Sequence, residues 1–176
     1  MSAAHGTRVY CRQALVGGNY CLLNTTTFVP NPDYYGALLW HRLMGPVVLK
    51  AATTAGGGGS PYLRSYAHCS REKPGVTVLL INLSNATAFD VSVAGGALGA
   101  ACGGRREEYH LSPLGGDIRS QVVLLNGEAL ALGPGGEIPE LRPAVVGDGC
   151  AAPLRVAARG IAFVRFTEFK APACAA

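Results

Sequence analysis

The sequence predicts a mostly β protein in which one strand–loop–helix unit precedes an antiparallel β-sandwich. Apolar residues recur at helical spacing only near the start, over residues 32–45. After that, short apolar runs alternate with turn clusters. The chain of 176 residues contains 24 glycines and 11 prolines. Because many short strands at regular spacing are typical of two packed antiparallel sheets, we expect a sandwich.

The first part of the chain predicts a strand, a loop and a helix. Residues 9–16 are mostly apolar without alternation, as in a strand covered on both faces. The pair Gly17-Gly18 then breaks the pattern. A cap residue, Asn31, is followed by proline, and the helix is expected to stop at Gly45. The loop would lie at the carboxyl end of the strand, where parallel α/β folds keep their ligand sites.

The remainder of the chain predicts a series of short strands. Asn126-Gly127 between two of them is a strong signal for a hairpin turn. The predicted strands span residues 47–51, 62–69, 76–82, 89–93, 107–111, 120–125, 129–132 and 161–166.

Composition excludes several classes of partner. The formal charge is only +4, and Lys and Arg never run beyond Arg105-Arg106, so we expect no nucleic-acid surface. No apolar run approaches the roughly 20 residues that cross a bilayer, so no transmembrane segment is expected. The start of the chain lacks the basic and apolar regions of a signal peptide. No C-x-x-C pair occurs, so a structural zinc site is not expected. No other cofactor is expected either.

Cysteines and glycosylation sequons favour a secretory compartment. Asn24, Asn82 and Asn85 each begin an N-x-S/T sequon. The even cysteine count is compatible with disulfides, although sequence alone allows about 15 pairings. This inference conflicts with the missing signal peptide, and the conflict would vanish if the chain has lost its true N-terminus. The six cysteines are Cys11, Cys21, Cys69, Cys102, Cys150 and Cys174.

Several long runs carry a family resemblance. CRQALVGGNY, LLNTTTFVPNPDYYGALLWHRLMG, LRSYAHCS, VTVLLINLSN, EEYHL and VVLLNG follow one another in the order of the C-terminal part of heparanase-like proteins. The chain resembles these glycoside hydrolases of family 79, and the plant members most. The resemblance implies a fragment of a (β/α)8-barrel (TIM-barrel) glycosidase. Residues 1–46 would be the last strand and helix of the catalytic barrel, and residues 47–176 a C-terminal β-sandwich domain.

The resemblance also implies where catalysis takes place. Retaining glycosidases use one glutamate as acid/base and a second as nucleophile. In this family both lie on earlier barrel strands, upstream of Met1, so no catalytic residue is expected in this chain. Glu107 and Glu108 are adjacent on a predicted strand and must point to opposite faces, which prevents them from flanking one bond. We interpret them as a solvated strand edge.

A substrate-binding role is implied for the loop. By resemblance, the Gly18 N–H and the Tyr20 hydroxyl would meet the carboxylate of a glucuronic acid, with Gln13 nearby; both donors suit a carboxylate. The alternative is that the glycines only form a turn and Tyr20 only packs. The resemblance further implies a disulfide between Cys69 and Cys174. The pairing of the other four cysteines stays open.

Three functional hypotheses follow. The first is part of a β-glucuronidase-type hydrolase, inactive without the missing barrel, whose partner is a glucuronide-containing carbohydrate. The second is a non-catalytic secreted β-sandwich that binds carbohydrate or another protein. The third is an inert fragment. By resemblance, the location would be secreted, in the cell wall, or lysosomal or vacuolar with peripheral membrane association.

Overall fold

The computed structural model describes residues 2–54, 59–72, 74–93, 104–147, 149, 151–169 and 171–174. It contains one α-helix, α1 (Pro32–Leu43), and short 3-10 helices at Ser2–His5, Leu114–Gly116 and Pro172–Cys174. The strands are β1 (Met44–Leu49), β2 (Leu63–Ser70), β3 (Val76–Asn82), β4 (Phe89–Val91), β5 (Arg106–Pro113), β6 (Val123–Leu125), β7 (Glu128–Ala129), β8 (Ala144–Val146), β9 (Leu154–Val156) and β10 (Ile161–Phe166).

The described strands form two antiparallel sheets. The larger sheet has the order β1-β2-β3-β10-β5-β6-β7, and β8 pairs with the start of β5 on the same side as β6. Its centre is β10, which pairs over its full length with β3 on one side and β5 on the other. A small second sheet, β4 with β9, covers one face. The chain is therefore mostly β, as the sequence predicts.

One face of the large sheet packs against the helix. Tyr35, Leu39 and Leu43 recur at helical spacing and are 3%, 1% and 8% exposed. They join a core with side chains of β3, β5 and β10, among them Leu79 and Phe163. The helix thus belongs to the hydrophobic core of the sheet.

The other face packs against the small sheet. Leu154 and Val156 of β9 are both 1% exposed and lie against Leu80 of β3 and Val164 of β10. Because β3 and β10 are covered on both faces, they read as continuous apolar runs, which is why the sequence predicts both within their observed bounds. No predicted strand covers β8 or β9, each of which spans three residues.

The hairpin predicted at Asn126-Gly127 is confirmed, and the helix ends before Gly45, which belongs to β1. Asn126 and Gly127 adopt φ angles of 51° and 89° and connect β6 to β7, as the hairpin signal predicts. Gly45 lies where β1 approaches β2, and a Cβ at that position would stand 2.5 Å from the Cys69 carbonyl oxygen. A glycine at this position therefore permits the close approach of β1 to β2.

The predicted strand over residues 9–16 is not formed. Its residues are irregular, and Val9, Tyr10 and Leu15 are 75%, 79% and 58% exposed. A strand buried in a parallel sheet needs paired neighbours, and no described strand pairs with this segment. The βα part of the fold prediction is thus observed as the helix without its strand.

A disulfide joins the sheet to the chain terminus. Cys69 of β2 and Cys174 are bonded, with their Cα atoms 5.4 Å apart. Among the described cysteines Cys11 and Cys21 are free thiols, and Cys102 and Cys150 lie outside the described residues. Within the described ranges, no helix has the length and apolar character needed to cross a bilayer.

Candidate functional site

The segment of residues 12–31, here called the glycine loop, folds back on itself before the helix. Leu22 and Leu23 donate backbone hydrogen bonds to the carbonyls of Ala14 and Leu15, at 3.2 and 2.9 Å. Further along, Leu23 and Pro30 form an isolated antiparallel bridge. These bonds give a largely exposed segment a defined shape.

Gly18 and Tyr20 lie next to each other at the tip of the glycine loop. Gly18 has φ +104°, a left-handed conformation that favours glycine. A Cβ built on it would stand 3.8 Å from the Tyr20 ring, and Tyr20 is 59% exposed. Gln13 is likewise exposed, near the start of the same loop. The loop therefore presents a phenol beside a glycine backbone on the protein surface.

The peptide at Gly18 is held from inside the loop. Its carbonyl accepts hydrogen bonds from the Cys21 thiol at 2.7 Å and from the Thr25 hydroxyl at 3.2 Å. Cys21 is only 2% exposed, so this thiol lies in the interior of the loop. Fixing the carbonyl also fixes the plane of the peptide that follows Gly18.

Two contacts fasten the glycine loop to the helix. Arg12 forms an ion pair with Asp33 in the first turn at 2.5 Å and donates to the Tyr20 carbonyl at 2.6 Å. Asn31 occupies the N-cap position as predicted, but it makes no side-chain cap hydrogen bond. Its Nδ2 instead donates to the Cys21 carbonyl at 2.7 Å. The cap residue thus holds the loop.

A charged row on β5 is absent from the predicted site residues. Arg106, Glu108 and His110 alternate along the strand and so share one face. Glu108 accepts from Arg106 Nε at 2.5 Å and lies 2.6 Å from His110 Nε2. The spacing of R-x-E-x-H is the sequence signal that could have revealed it.

Arg106 also anchors the turn before β9. It is 2% exposed and donates to the carbonyls of Gly149, Ala152 and Pro153, the last two at 2.6 and 3.2 Å. Burial favours the neutral form of Glu108, but hydrogen bonds from His110 and Arg106 and their charges outweigh it, and the pKa of Glu108 is lowered. The row therefore carries a stable buried anion.

The interpretation of Glu107 and Glu108 as a solvated edge is wrong. Strand β5 lies inside the sheet, and Glu108 is 8% exposed. On the opposite face, Glu107 pairs with Arg165 of β10 at 2.6 Å. Burial first, and then the negative charge of Glu107, raise the pKa of the neighbouring Tyr109. The two glutamates do point to opposite faces, each toward an arginine.

A groove runs beside the charged row. Its volume is about 590 Å³. It lies between β5, β8 and β9, so the small sheet and the large sheet both contribute to its walls. The groove is lined by Arg106, Glu108, His110, Leu111, Ser112, Asn126, Ala144, Val146, Ala152, Pro153, Arg155, Val156, Ala157, Gly160 and Ile161.

The three sequon asparagines occupy different environments. Asn85 is exposed and Asn24 is half-buried, whereas Asn82 is 2% exposed. Asn24 accepts hydrogen bonds from the backbone N–H groups of Thr26 and Thr27, both at 3.0 Å, which shapes the far end of the glycine loop.

Comparison with known proteins relates the whole chain to one family. No family model matches the sequence. Heparanase-like protein 2 of Arabidopsis thaliana is 46% identical over 201 aligned positions, which include 99% of this chain and 36% of the relative. Baicalin-beta-D-glucuronidase of Scutellaria baicalensis is 46% identical over 81% of this chain and 25% of the relative.

A relative of lower sequence identity carries a name that describes it as inactive. The human protein named inactive heparanase-2 is 32% identical over 81% of this chain and 26% of its own length.

The chain spans about a third of the length of the plant relatives that it matches over nearly all of its residues. By these matches, the chain belongs to the heparanase-like proteins, a family that includes glycosidases.

Proposed function

We propose that this chain is the C-terminal part of a retaining β-glucuronidase of the heparanase-like type, acting on glucuronide-containing glycans or conjugates. On its own it is inactive, because the acid/base and nucleophile glutamates belong to the rest of the parent protein. The identity to a plant β-glucuronidase supports the reaction type. The 36% coverage of the heparanase-like relative supports a parent of greater length.

The observation that carries this proposal is the pairing of Gly18 and Tyr20 on the surface of the glycine loop. A glycine in the left-handed region leaves its backbone open to close approach by a ligand. An N–H and a phenolic O–H from one loop tip both donate to a carboxylate, and hydrogen bonds to an ionised acceptor are the stronger ones. Gln13 offers an amide donor from the start of the same loop.

The carboxylates of β5 support the view that catalysis lies elsewhere. A retaining pair stands roughly 5–5.5 Å apart across the scissile bond. Glu107 and Glu108 face opposite sides of the sheet, and each is already ion-paired with an arginine. Ion-paired carboxylates, one of which (Glu108) has a lowered pKa, suit structure better than proton transfer to a leaving group.

The exposed apolar residues ahead of Gly17 support a barrel outside this chain. Val9, Tyr10, Leu15 and Val16 are 42–79% exposed here. In the proposed parent, residues 1–46 are the terminal βα unit, and neighbouring barrel strands would cover these side chains. Burial of four such residues would stabilise the strand form by about 1.5–3 kcal/mol for each fully covered side chain.

The experiment that tests the proposal is Tyr20→Phe in the full-length parent, measured with an aryl β-glucuronide. Loss of a hydrogen bond to a charged acceptor, worth about 1.5–3 kcal/mol, lowers kcat/KM by roughly 10-fold to 100-fold. The matching control is Tyr10→Phe, which removes another exposed phenol from the same segment. Equal kinetics for the two variants would contradict a substrate role for Tyr20.

The assignment of catalysis to the rest of the parent has a separate test. The isolated chain, purified to constant specific activity, should release no product from an aryl β-glucuronide. Turnover that co-purifies with this chain and survives in a Glu107→Gln, Glu108→Gln double variant would mean that catalysis depends on residues other than these two glutamates. Turnover abolished by that variant would assign catalysis to this chain.

A second candidate function is a carbohydrate-binding or interaction module without catalysis. The groove beside the charged row favours it, because the groove has an arginine, a glutamate and a histidine among its walls. The inactive human relative supports the idea that family members need not be enzymes. Binding of glucuronide oligosaccharides to the isolated chain, weakened by His110→Ala but unchanged by Tyr20→Phe, would favour this function.

We also propose a secretory route, ending in the cell wall or outside the cell, or in a lysosomal or vacuolar compartment with peripheral membrane association. The Cys69–Cys174 disulfide supports an oxidising compartment. Cell fractionation of the tagged parent tests it: recovery in the cytosolic fraction with both cysteines reduced would contradict the route.

A further inference from the structure

Two adjacent sequons lie where β3 ends, and their asparagines have different environments in the fold. The sequence Asn82-Leu83-Ser84 is followed directly by Asn85-Ala86-Thr87. Asn82 is the last residue of β3 and is 2% exposed, whereas Asn85 lies in the exposed connection to β4. Sequence patterns cannot separate the two, because both satisfy N-x-S/T.

The Asn82 side chain ties three parts of the chain together. Its Nδ2 donates to the carbonyls of Thr87, Val156 and Ala157, at 2.8, 3.1 and 2.9 Å. Its Oδ1 accepts from the Ser84 N–H at 2.9 Å. The amide therefore connects the end of β3, its own loop and the end of β9. A sugar on Nδ2 would remove a hydrogen from this network. It would also have no space, because Asn82 is 2% exposed.

The Asn85 side chain lies on the outer side of the same loop. The Ser84 hydroxyl accepts from the N–H groups of Ala86 and Thr87, at 3.3 and 2.9 Å, and the Ser84 carbonyl accepts from Arg159 N–H at 2.9 Å. These bonds fix the loop from within, and Asn85, Ala86 and Thr87 are all exposed. A glycan on Asn85 therefore projects into solvent without breaking any of them.

We propose that Asn85 is a glycan-bearing site and that Asn82 is a structural amide which stays unmodified in the folded protein. The donor is a lipid-linked oligosaccharide pyrophosphate. The Asn85 Nδ2–C1 bond forms as the C1–O bond to the pyrophosphate breaks, lipid pyrophosphate leaves, and one amide proton passes to a base of the transferase. This inference is independent of the proposed hydrolase activity.

The test is site mapping on the whole chain, secreted from plant cells behind a cleavable signal peptide. Enzymatic deglycosylation in heavy-oxygen water converts a glycosylated asparagine to labelled aspartate, which fragmentation assigns to one position. We expect the label at position 85 and unmodified asparagine at position 82 in secreted protein. Retained, misfolded protein is mapped in parallel, since a glycan at Asn82 is compatible only with that fraction.

Three variants sharpen the result. Asn85→Gln and Thr87→Ala remove the same sequon by different residues, so each should lose one glycan in gel mobility while secretion is kept. Asn82→Gln should keep the glycan at Asn85 but lose secretion. A labelled position 82 in secreted protein, or an unmodified position 85, overturns the proposal. So does full secretion of Asn82→Gln, because the amide network would then be dispensable.

Discussion

The glycine loop with its preceding segment and the sheet differ in how they cover apolar side chains. In the sheet, β10 buries five of its six residues, and both of its faces carry a hydrophobic core. In the first thirty residues, Val9, Tyr10 and Tyr20 are 75%, 79% and 59% exposed, although they are equally apolar or aromatic. The difference lies in available neighbours and not in composition.

This comparison indicates which part of the chain is complete in itself. The sheet closes its two cores with the helix on one face and β9 on the other. The glycine loop is held by a few polar contacts, chiefly the Arg12–Asp33 ion pair. We therefore expect large effects on stability from changes in the sheet and small ones from changes in the loop, whose changes should act on ligand binding.

The largest effect is expected from Leu39→Ala. This side chain is 1% exposed in the core between the helix and the sheet, and truncation leaves a cavity. The free energy of unfolding should fall by about 2–5 kcal/mol in urea denaturation. Leu15→Ala is the matched control, because Leu15 is 58% exposed and its truncation should stay within about 0.5 kcal/mol. Similar losses in both variants would remove the contrast between the two regions.

The next effect is expected from Cys69→Ser. The disulfide closes a sequence separation of 105 residues, so its loss frees a long loop in the unfolded chain. Stability should fall by roughly 2–4 kcal/mol, and reducing agent should lower the Tm of the unsubstituted chain alone. Cys11→Ser is the control, since Cys11 is an exposed free thiol. A Tm that responds to reductant in Cys69→Ser would indicate another disulfide.

A smaller effect, with a defined pH dependence, is expected from Glu108→Gln. Removing the carboxylate between Arg106 and His110 should cost about 1–3 kcal/mol at neutral pH. Because the folded pKa of Glu108 is lowered, its contribution is fully present above the ordinary carboxyl pKa and is lost as the pH falls through the folded value. Denaturation midpoints measured between neutral and acid pH should therefore converge for the two proteins.

The control for that series is Glu140→Gln. Glu140 pairs with Arg142 on the surface, where their side chains are 72% and 80% exposed, so the change should leave stability at neutral pH nearly unaltered. If the Glu108 variant remained less stable by the same margin in acid, the ionised carboxylate would not be the cause.

The smallest effect on stability is expected from Asp33→Asn. The Arg12–Asp33 pair joins the glycine loop to the helix, but the two side chains are 35% and 48% exposed. The loss should be about 0.2–1 kcal/mol and should shrink further with added salt. In the full-length parent, the same change should raise KM for a glucuronide by loosening the loop. A stability loss as large as that of Leu39→Ala would show that the loop belongs to the core.

Much of the fold could be predicted from the chain's own pattern. The helix after Asn31, β3, β10 and the Asn126-Gly127 hairpin all depend on local signals, namely capping, continuous apolar runs and a turn that needs positive φ. The strand over residues 9–16 shows the limit of such signals. An apolar run predicts that its side chains are buried, but it does not show whether neighbouring strands are present to bury them.

The sequence by itself therefore determined the mostly β architecture, the helix and the family, because these follow from periodicity and from long distinctive runs. Only the tertiary structure decided which polar residues are buried. In the sequence, Asn82 has the pattern of a glycosylation site and Glu108 that of a solvated strand edge. In the fold, β9 covers Asn82 and the neighbouring strands of the sheet enclose Glu108. The reason is that the burial of a polar group is set by segments distant in sequence, whose arrival supplies both the cover and the hydrogen-bond partners.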